Sequence, residues 1–269
     1  VALGPAELPP LPDEIGVDPD AGRLDPRAWF PEPRAPLEIE IGSGKGTFLL
    51  EQGAAEPGTN FLGLERAREF FLYAADRVRR RGLRNVRLAC ADGAEFLHWR
   101  CPPAVRGGPS AGRAGGEVVR VIHLYFSDPW PKKRHHKNRV IRHRFLADAW
   151  RVLVPGGELR VVTDHDGLWE WNLSHFAVWT DPARFEAWRQ RGALDGEDAV
   201  RAAELPPAAD AAPFTIEPFA PVPWAGEGML VGTNYERKMD RRGGHEAGSP
   251  HGPHAATLRK RGGTNVGAG

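Results

Sequence analysis

Cysteine is nearly missing from this 269-residue chain: Cys90 and Cys101 are the only two, with no second pair. A zinc ribbon or a disulfide-stapled scaffold therefore has nothing to build on, and a reducing, cytoplasmic compartment is expected. Runs of eighteen apolar residues are absent as well, so no membrane-spanning helix is expected. The N-terminal residues are acidic and proline-rich where a signal peptide is basic and then apolar. Net charge is close to nil, 36 Lys and Arg against 35 Asp and Glu, and by itself points to no polyanionic partner. No internal repeat is present, which excludes solenoids and propellers. Glycine (32) and proline (25) are plentiful, the composition of a folded body carrying loops and tails.

Charge is balanced overall but separated along the chain. Residues 1–36 carry seven acids, three bases and nine prolines, an extended arm with little core of its own. Residues 132–144 carry seven Lys or Arg and three His with no carboxylate, and residues 237–269 carry seven bases against two acids. Between these lie alternating strand and helix patterns. Strands are expected at 37–41, 60–64, 85–90, 118–126, 159–163, 214–219 and 229–235, and helices at 68–81, 94–99, 141–152 and 167–178. Gly82 stops one helix and Pro155-Gly156-Gly157 breaks another. The expected organisation is an arm at 1–36, a domain at 37–238 with a flexible insertion at 102–117 and a linker at 192–213, and a disordered tail at 239–269. The alternation predicts an α/β fold, a mostly parallel seven-stranded sheet with helices on both faces.

In such sheets ligands sit beyond the carboxyl ends of the strands. Gly42, Gly44 and Gly46 occupy the first turn there, but neither a dinucleotide fingerprint nor a P-loop is present: the third glycine comes one residue early, and Lys45 is followed by Gly46. What remains is carboxylates: Glu40 ends the first strand, Glu65 the second, and Asp92 follows the third. An acid after the second strand suits a ribose, one beside the turn suits a cationic group, and a third can accept from an adenine amine. S-adenosyl-L-methionine offers all three groups and no phosphate. The competing reading of each acid is a solvated strand end.

Asp128-Pro129-Trp130-Pro131 follows the fourth strand at the same edge. Two prolines stiffen the turn and hold the Asp128 carboxylate in place. Beside it, Lys132, Arg134, Lys137 and Arg139 have the pattern of phosphate contacts next to an aromatic, the way single-stranded nucleic acid is held. His135 and His136 lack metal-site spacing, no metal is expected, and Trp169, Trp171 and Trp179 read as helix packing.

The stretches 37–46 (LEIEIGSGKG), 61–65 (FLGLE), 127–136 (SDPWPKKRHH), 161–164 (VVTD) and 233–236 (TNYE) together resemble the tRNA (guanine-N7-)-methyltransferase family, bacterial single-chain type. The glycine turn is common to many methyltransferases; the DPWPKKRHH run followed much later by TNYE is specific. The resemblance implies a Rossmann-like class I methyltransferase fold with a late antiparallel strand, S-adenosyl-L-methionine as donor, and a variable-loop guanosine of tRNA as acceptor. By position it implies cofactor contacts at Glu40, Gly42, Gly44, Gly46, Glu65, Asp92 and Asp128, and catalysis by Asp128. Substrate contacts are implied at Lys132, Asp164, Thr233, Asn234, Tyr235 and Glu236. A monomer or homodimer without an obligatory protein partner is expected. Ser127 stands where the family has proline, and Asn138 interrupts a run that is more basic in the family. Two rivals compete: a methyltransferase acting on an exocyclic amine, whose turn has two prolines before the aromatic, and a non-catalytic RNA-binding protein on the same fold.

Overall fold

The computed structural model describes residues 2–4, 24–101, 118–191, 206, 211–241 and 252–261. The expected insertion at 102–117 and most of the 192–213 linker lie outside the described residues. Two short apolar strands open the domain, β2 (Leu37–Ile41) and β3 (Asn60–Leu64), and every residue of both is buried. Burial on both faces is what a parallel strand covered by helices requires. With β1 (Ala2–Leu3), β4 (Val86–Ala89), β5 (Val119–Tyr125), β6 (Leu153–Thr163), β7 (Phe214–Glu217) and β8 (His254–Lys260) they form one eight-stranded sheet in the order β1-β4-β3-β2-β5-β6-β8-β7. Pairing is parallel through β6, and β8 runs antiparallel to β6 and β7. The Rossmann-like α/β architecture and the late antiparallel strand are thus as expected; the sheet has eight strands instead of seven.

Helices cover both faces. α1 (Thr47–Ala55) and α2 (Arg68–Arg81) pack Leu49, Leu50, Phe71 and Val78 onto one face. On the other, α3 (Gly93–Trp99), α4 (His143–Val152) and α5 (Asp166–Trp179) bury Phe96, Leu146 and Phe176 in the main core, and α6 (Pro182–Gln190) adds Phe185. The caps follow local chemistry. Asp92 accepts from the amides of Ala94 and Glu95 to start α3, Asp181 caps α6 ahead of a proline, and Gly82 ends α2 in the left-handed region after three arginines.

Three expectations need correction. The tail is not wholly disordered: His254–Lys260 is β8, inserted between β6 and β7. Its basic residues are cross-strand partners, Arg259 pairing with Glu217 and Glu158, and buried Lys260 donating to the Leu153 carbonyl over the Trp150 ring. The expected strand at 229–235 is a turn leading into α7 (Asn234–Arg241). Thr233 and Glu236 form a capping box there: the Thr233 hydroxyl accepts from the Glu236 amide, and the Glu236 carboxylate accepts from the amides of Leu230, Val231 and Gly232. Finally, the arm contributes to the core, since Phe30 is buried after a 3-10 turn at Pro26–Trp29 and Ala2–Leu3 adds an edge strand to β4.

Candidate active site

The carboxyl ends of β2 and β5, the glycine turn and the start of α7 enclose a cleft of about 250 Å³. Glu40, Gly42, Ser43, Gly44, Lys45, Phe48, Phe70, Tyr125, Phe126, Thr233, Asn234, Tyr235 and Lys238 are among its walls. The turn is built for close approach. Gly42, Gly44 and Gly46 all have positive φ (74°, 52° and 68°), and a side chain on Gly46 would meet the Ala74 Cβ at 2.9 Å. Beneath it, a Cβ on Gly63 would meet Leu49 at 2.3 Å, so glycine there lets α1 and the turn lie down on the sheet.

Glu40 sits in register between Gly63 of β3 and His123 of β5. It is only 4% exposed, and its Oε2 has no hydrogen-bond partner; the Ser43 hydroxyl beside it is buried and unpartnered too. Burial pushes the Glu40 carboxyl well above the usual carboxylate range, and the Glu65 charge adds to the rise. A buried carboxylate lacking a counter-charge favours a cationic ligand, because an incoming cation restores the cost of its desolvation. Glu40 and Ser43, the two residues that carry these orphaned polar atoms, both line the cleft, and a carboxylate there fits the cationic end of S-adenosyl-L-methionine.

The other two strand-end acids do different work. Glu65 is buried, accepting from the Gly44 amide at 2.7 Å and from the Ala67 amide at 2.7 Å, so it fixes the glycine turn and the entry to α2. Asp92 spends Oδ1 on the α3 cap, leaving Oδ2 turned outward at 3.8 Å from Arg66. Behind the cleft runs a polar chain, buried from Glu38 to Tyr125: the half-exposed Arg120 and His123 Nε2 both reach Glu38, and His123 Nδ1 lies 2.7 Å from the Tyr125 hydroxyl. The chain locks the Tyr125 ring as a wall, packed edge-on against Phe48.

Past β5 the backbone is strained. Phe126 and Trp130 hold φ of 51° and 43°, a region bulky residues rarely adopt, and Asp128 between them is exposed. Strain flanking a solvent-facing carboxylate that has no partner among the described residues is the signature of a group held for contact with something else. Arg139 departs from its expected role as a phosphate contact: it is 4% exposed, donating to the carbonyls of Pro129 and Gly167 and lying over Trp171. Its guanidinium clamps the strained turn from inside. Lys132, Lys133, Arg134 and Lys137 are exposed on a 3-10 turn at Lys133–Asn138, and Trp130 packs edge-on against His135.

Asp164, just after β6, accepts from the Tyr235 hydroxyl at 3.1 Å, and the Tyr235 ring packs on Phe126 at 5.0 Å. Burial, then the Asp164 charge, raises the Tyr235 phenol. Glu236 is enclosed by its own loop, so of the TNYE segment it is Thr233, Asn234 and Tyr235 that face the cleft. Expected residues thus converge from both ends of the domain: Glu40, Gly42, Gly44, Thr233, Asn234 and Tyr235 share one cleft. Sequence reasoning missed Ser43, Lys45, Thr47, Phe48, Phe70, Tyr125, Phe126 and Lys238, of which Tyr125 and Phe126 were signalled by their place at the end of β5.

Comparison with known proteins gives a consistent result. A family model described as "Putative methyltransferase" matches residues 34–195. The tRNA (guanine-N(7)-)-methyltransferase of Staphylococcus carnosus is 39% identical over 153 residues, 57% of this chain and 64% of that protein. The protein of the same name from Streptococcus sanguinis is 33% identical over 165 residues, 61% of this chain and 71% of that protein. The chain thus spans just under two thirds of the first relative's length and slightly more of the second's. Among solved structures, the aminoglycoside resistance methyltransferase NpmB1 is similar at 17% identity and a TM-score of 0.43, covering 87% of this chain and 89% of that one. With a family match across the sheet from β2 to α6 and this identity to its curated members, the chain belongs to the tRNA (guanine-N(7)-)-methyltransferase family.

Proposed function

We propose that the protein transfers a methyl group from S-adenosyl-L-methionine to N7 of a guanosine in the variable loop of tRNA. The observation that carries this reading is the buried, unpartnered Glu40 carboxylate in a glycine-turn cleft that adjoins the strained Asp128 turn and its exposed basic neighbours. Family membership supports the same chemistry.

S-adenosyl-L-methionine supplies an electrophilic methyl group on a sulfonium. Glu40 and the backbone of Gly42 and Gly44 hold it, and Glu65 acts through the turn as a positioning residue. Guanine N7 carries an exposed lone pair and loses no proton on attack, so no general base is needed. The protein's task is orientation, worth several kcal/mol when the reacting atoms are held close, together with stabilising the positive charge that appears on the purine. Asp128 is the carboxylate available for that: it accepts from the guanine Watson-Crick edge, while Tyr235, a wall of the cleft, is held by its hydrogen bond to Asp164. Lys132, Arg134 and Lys137 contact phosphate. The amine-methylating rival needs a base or a leaving proton and a second proline before the aromatic; here Ser127 precedes a single Asp-Pro-Trp.

The test is incubation of unmodified tRNA with the protein and labelled S-adenosyl-L-methionine, followed by digestion to nucleosides and mass analysis. N7-methylguanosine is the expected product. A methylated exocyclic amine, or tight tRNA binding with no transfer, would move the assignment to one of the rivals.

A further inference from the structure

Outside the turn after β5, a second group of cations borders the cleft. Lys45, Asn234, Arg237 and Lys238 line a hollow that shares Lys45, Asn234 and Lys238 with the cleft itself. On the α2 side Lys45 lies over one part of the Tyr73 ring at 5.6 Å and Arg77 over it at 5.9 Å. Arg77 is fixed by donating to the Lys45 carbonyl at 2.6 Å and to the Thr47 hydroxyl at 3.1 Å, contacts that hold the guanidinium without neutralising it.

Farther along α2, Arg79 and Arg80 are paired with Asp76, and Arg81 with Glu51. Near the cleft, Lys45, Arg77, Arg237 and Lys238 have no carboxylate partner among the described residues. Two large aromatics in the same region are exposed, Tyr73 at 51% and Phe70 at 39%. Cations left unneutralised around exposed aromatic faces form the surface that single-stranded nucleic acid uses, phosphate on the cations and bases on the rings. A lone small-molecule carboxylate would need one of these cations and none of the aromatic surface.

We propose that Lys45, Arg77, Arg237 and Lys238 form a second phosphate-binding rim, separate from Lys132–Lys137, that holds the tRNA backbone beside the target nucleotide. This rests on the tRNA reading above. One basic group at the cleft and another on the turn that follows β5 would fix the strand before and after an extruded base, so that orientation comes from both sides.

The test is binding of unmodified tRNA to the full chain across a salt series with S-adenosylhomocysteine present, for the wild type, Arg237→Gln, Arg237→Gln/Lys238→Gln, and Arg237→Lys. S-adenosylhomocysteine affinity is measured separately by calorimetry. Each lost phosphate contact lowers the log–log salt slope by about 0.7–0.9. The double variant should therefore lose about 1.4–1.8 from the slope and bind roughly 10- to 30-fold more weakly near physiological salt. Arg237→Gln alone, at a residue that does not line the cofactor cleft, should lose about 0.7–0.9 from the slope and leave S-adenosylhomocysteine affinity unchanged, and Arg237→Lys should keep the wild-type slope. An unchanged slope and affinity for tRNA would overturn the proposal, as would a loss confined to S-adenosylhomocysteine, which would assign the cations to the cofactor carboxylate. Failure of the wild type itself to bind or methylate tRNA would instead overturn the reading on which the rim rests.

Discussion

Replacing Glu40 with Gln separates what this carboxylate does for the ligand from what it costs the fold. Its Oε2 is buried without a partner, and burial followed by the Glu65 charge holds its carboxyl well above the usual range. A charge-assisted hydrogen bond from the cofactor ammonium to this group is worth about 1.5–3 kcal/mol. At about 1.4 kcal/mol per decade, the variant should bind S-adenosylhomocysteine, which retains the ammonium, roughly 10- to 150-fold more weakly by calorimetry. Stability moves the other way. A group whose folded pKa is raised gives stability that is fully present below its unfolded value and lost as pH rises through the folded value. The free wild type therefore loses stability above the ordinary carboxylate range, and Glu40→Gln does not. The variant's melting temperature should exceed that of the wild type by a margin that widens as pH is raised from acid to neutral. In the wild type, ligand binding should also release a proton, seen as a dependence of the calorimetric heat on buffer ionisation enthalpy. Unchanged affinity together with a margin that is flat in pH would refute the assignment of Glu40.

Other perturbations have equally definite outcomes. Asp128→Asn should lower turnover by about 10²–10³ in single-turnover methyl transfer while leaving S-adenosylhomocysteine affinity intact; loss of cofactor binding at normal turnover would reassign it. Arg139→Met removes the donors to the Pro129 and Gly167 carbonyls. It should lower the melting temperature and turnover without altering the salt slope of tRNA binding, and a reduced slope would return Arg139 to the phosphate surface. Burial, then the nearby His175, holds His143 down at about 4. Because the unfolded chain then binds the extra proton first, stability is complete above pH about 6.5 and falls by up to about 3 kcal/mol as pH drops toward 4. Urea titrations of the wild type and His143→Gln at pH 7.5 and 4.5 should show the smaller pH effect in the variant; equal effects would remove His143 as the cause.

The parallel core of the fold was legible because its strands are short apolar runs punctuated by Gly, Pro and capping acids, signals that local sequence carries. β2, β3 and the Gly82 stop of α2 fall where periodicity and turn chemistry put them. β8 was hidden because residues far away in sequence hold its cations, Glu217 and Glu158 pairing with Arg259 and the Leu153 carbonyl and Trp150 ring seating Lys260, and composition alone reads them as a solvated tail. The strand expected at 229–235 is a turn and α7 was not foreseen, although Thr233-x-x-Glu236 is a capping pattern that local reasoning can find. At the site, the residue types were readable but their allocation was not. Glu40, Glu65 and Asp92 look alike at strand ends, and only the hydrogen bonds show one orphaned, one holding the turn and one capping a helix. Arg139 sits in a basic run like its neighbours, and only packing shows it facing inward.

The most direct measurement is chemical cleavage at N7-methylguanosine of unmodified tRNA after incubation with the protein and S-adenosyl-L-methionine, resolved on a sequencing ladder. A single break at a variable-loop guanosine, absent when the cofactor is withheld and strongly reduced with Asp128→Asn, is the predicted result. No cleavage despite measurable cofactor and tRNA binding, or cleavage that Asp128→Asn leaves undiminished, would contradict it.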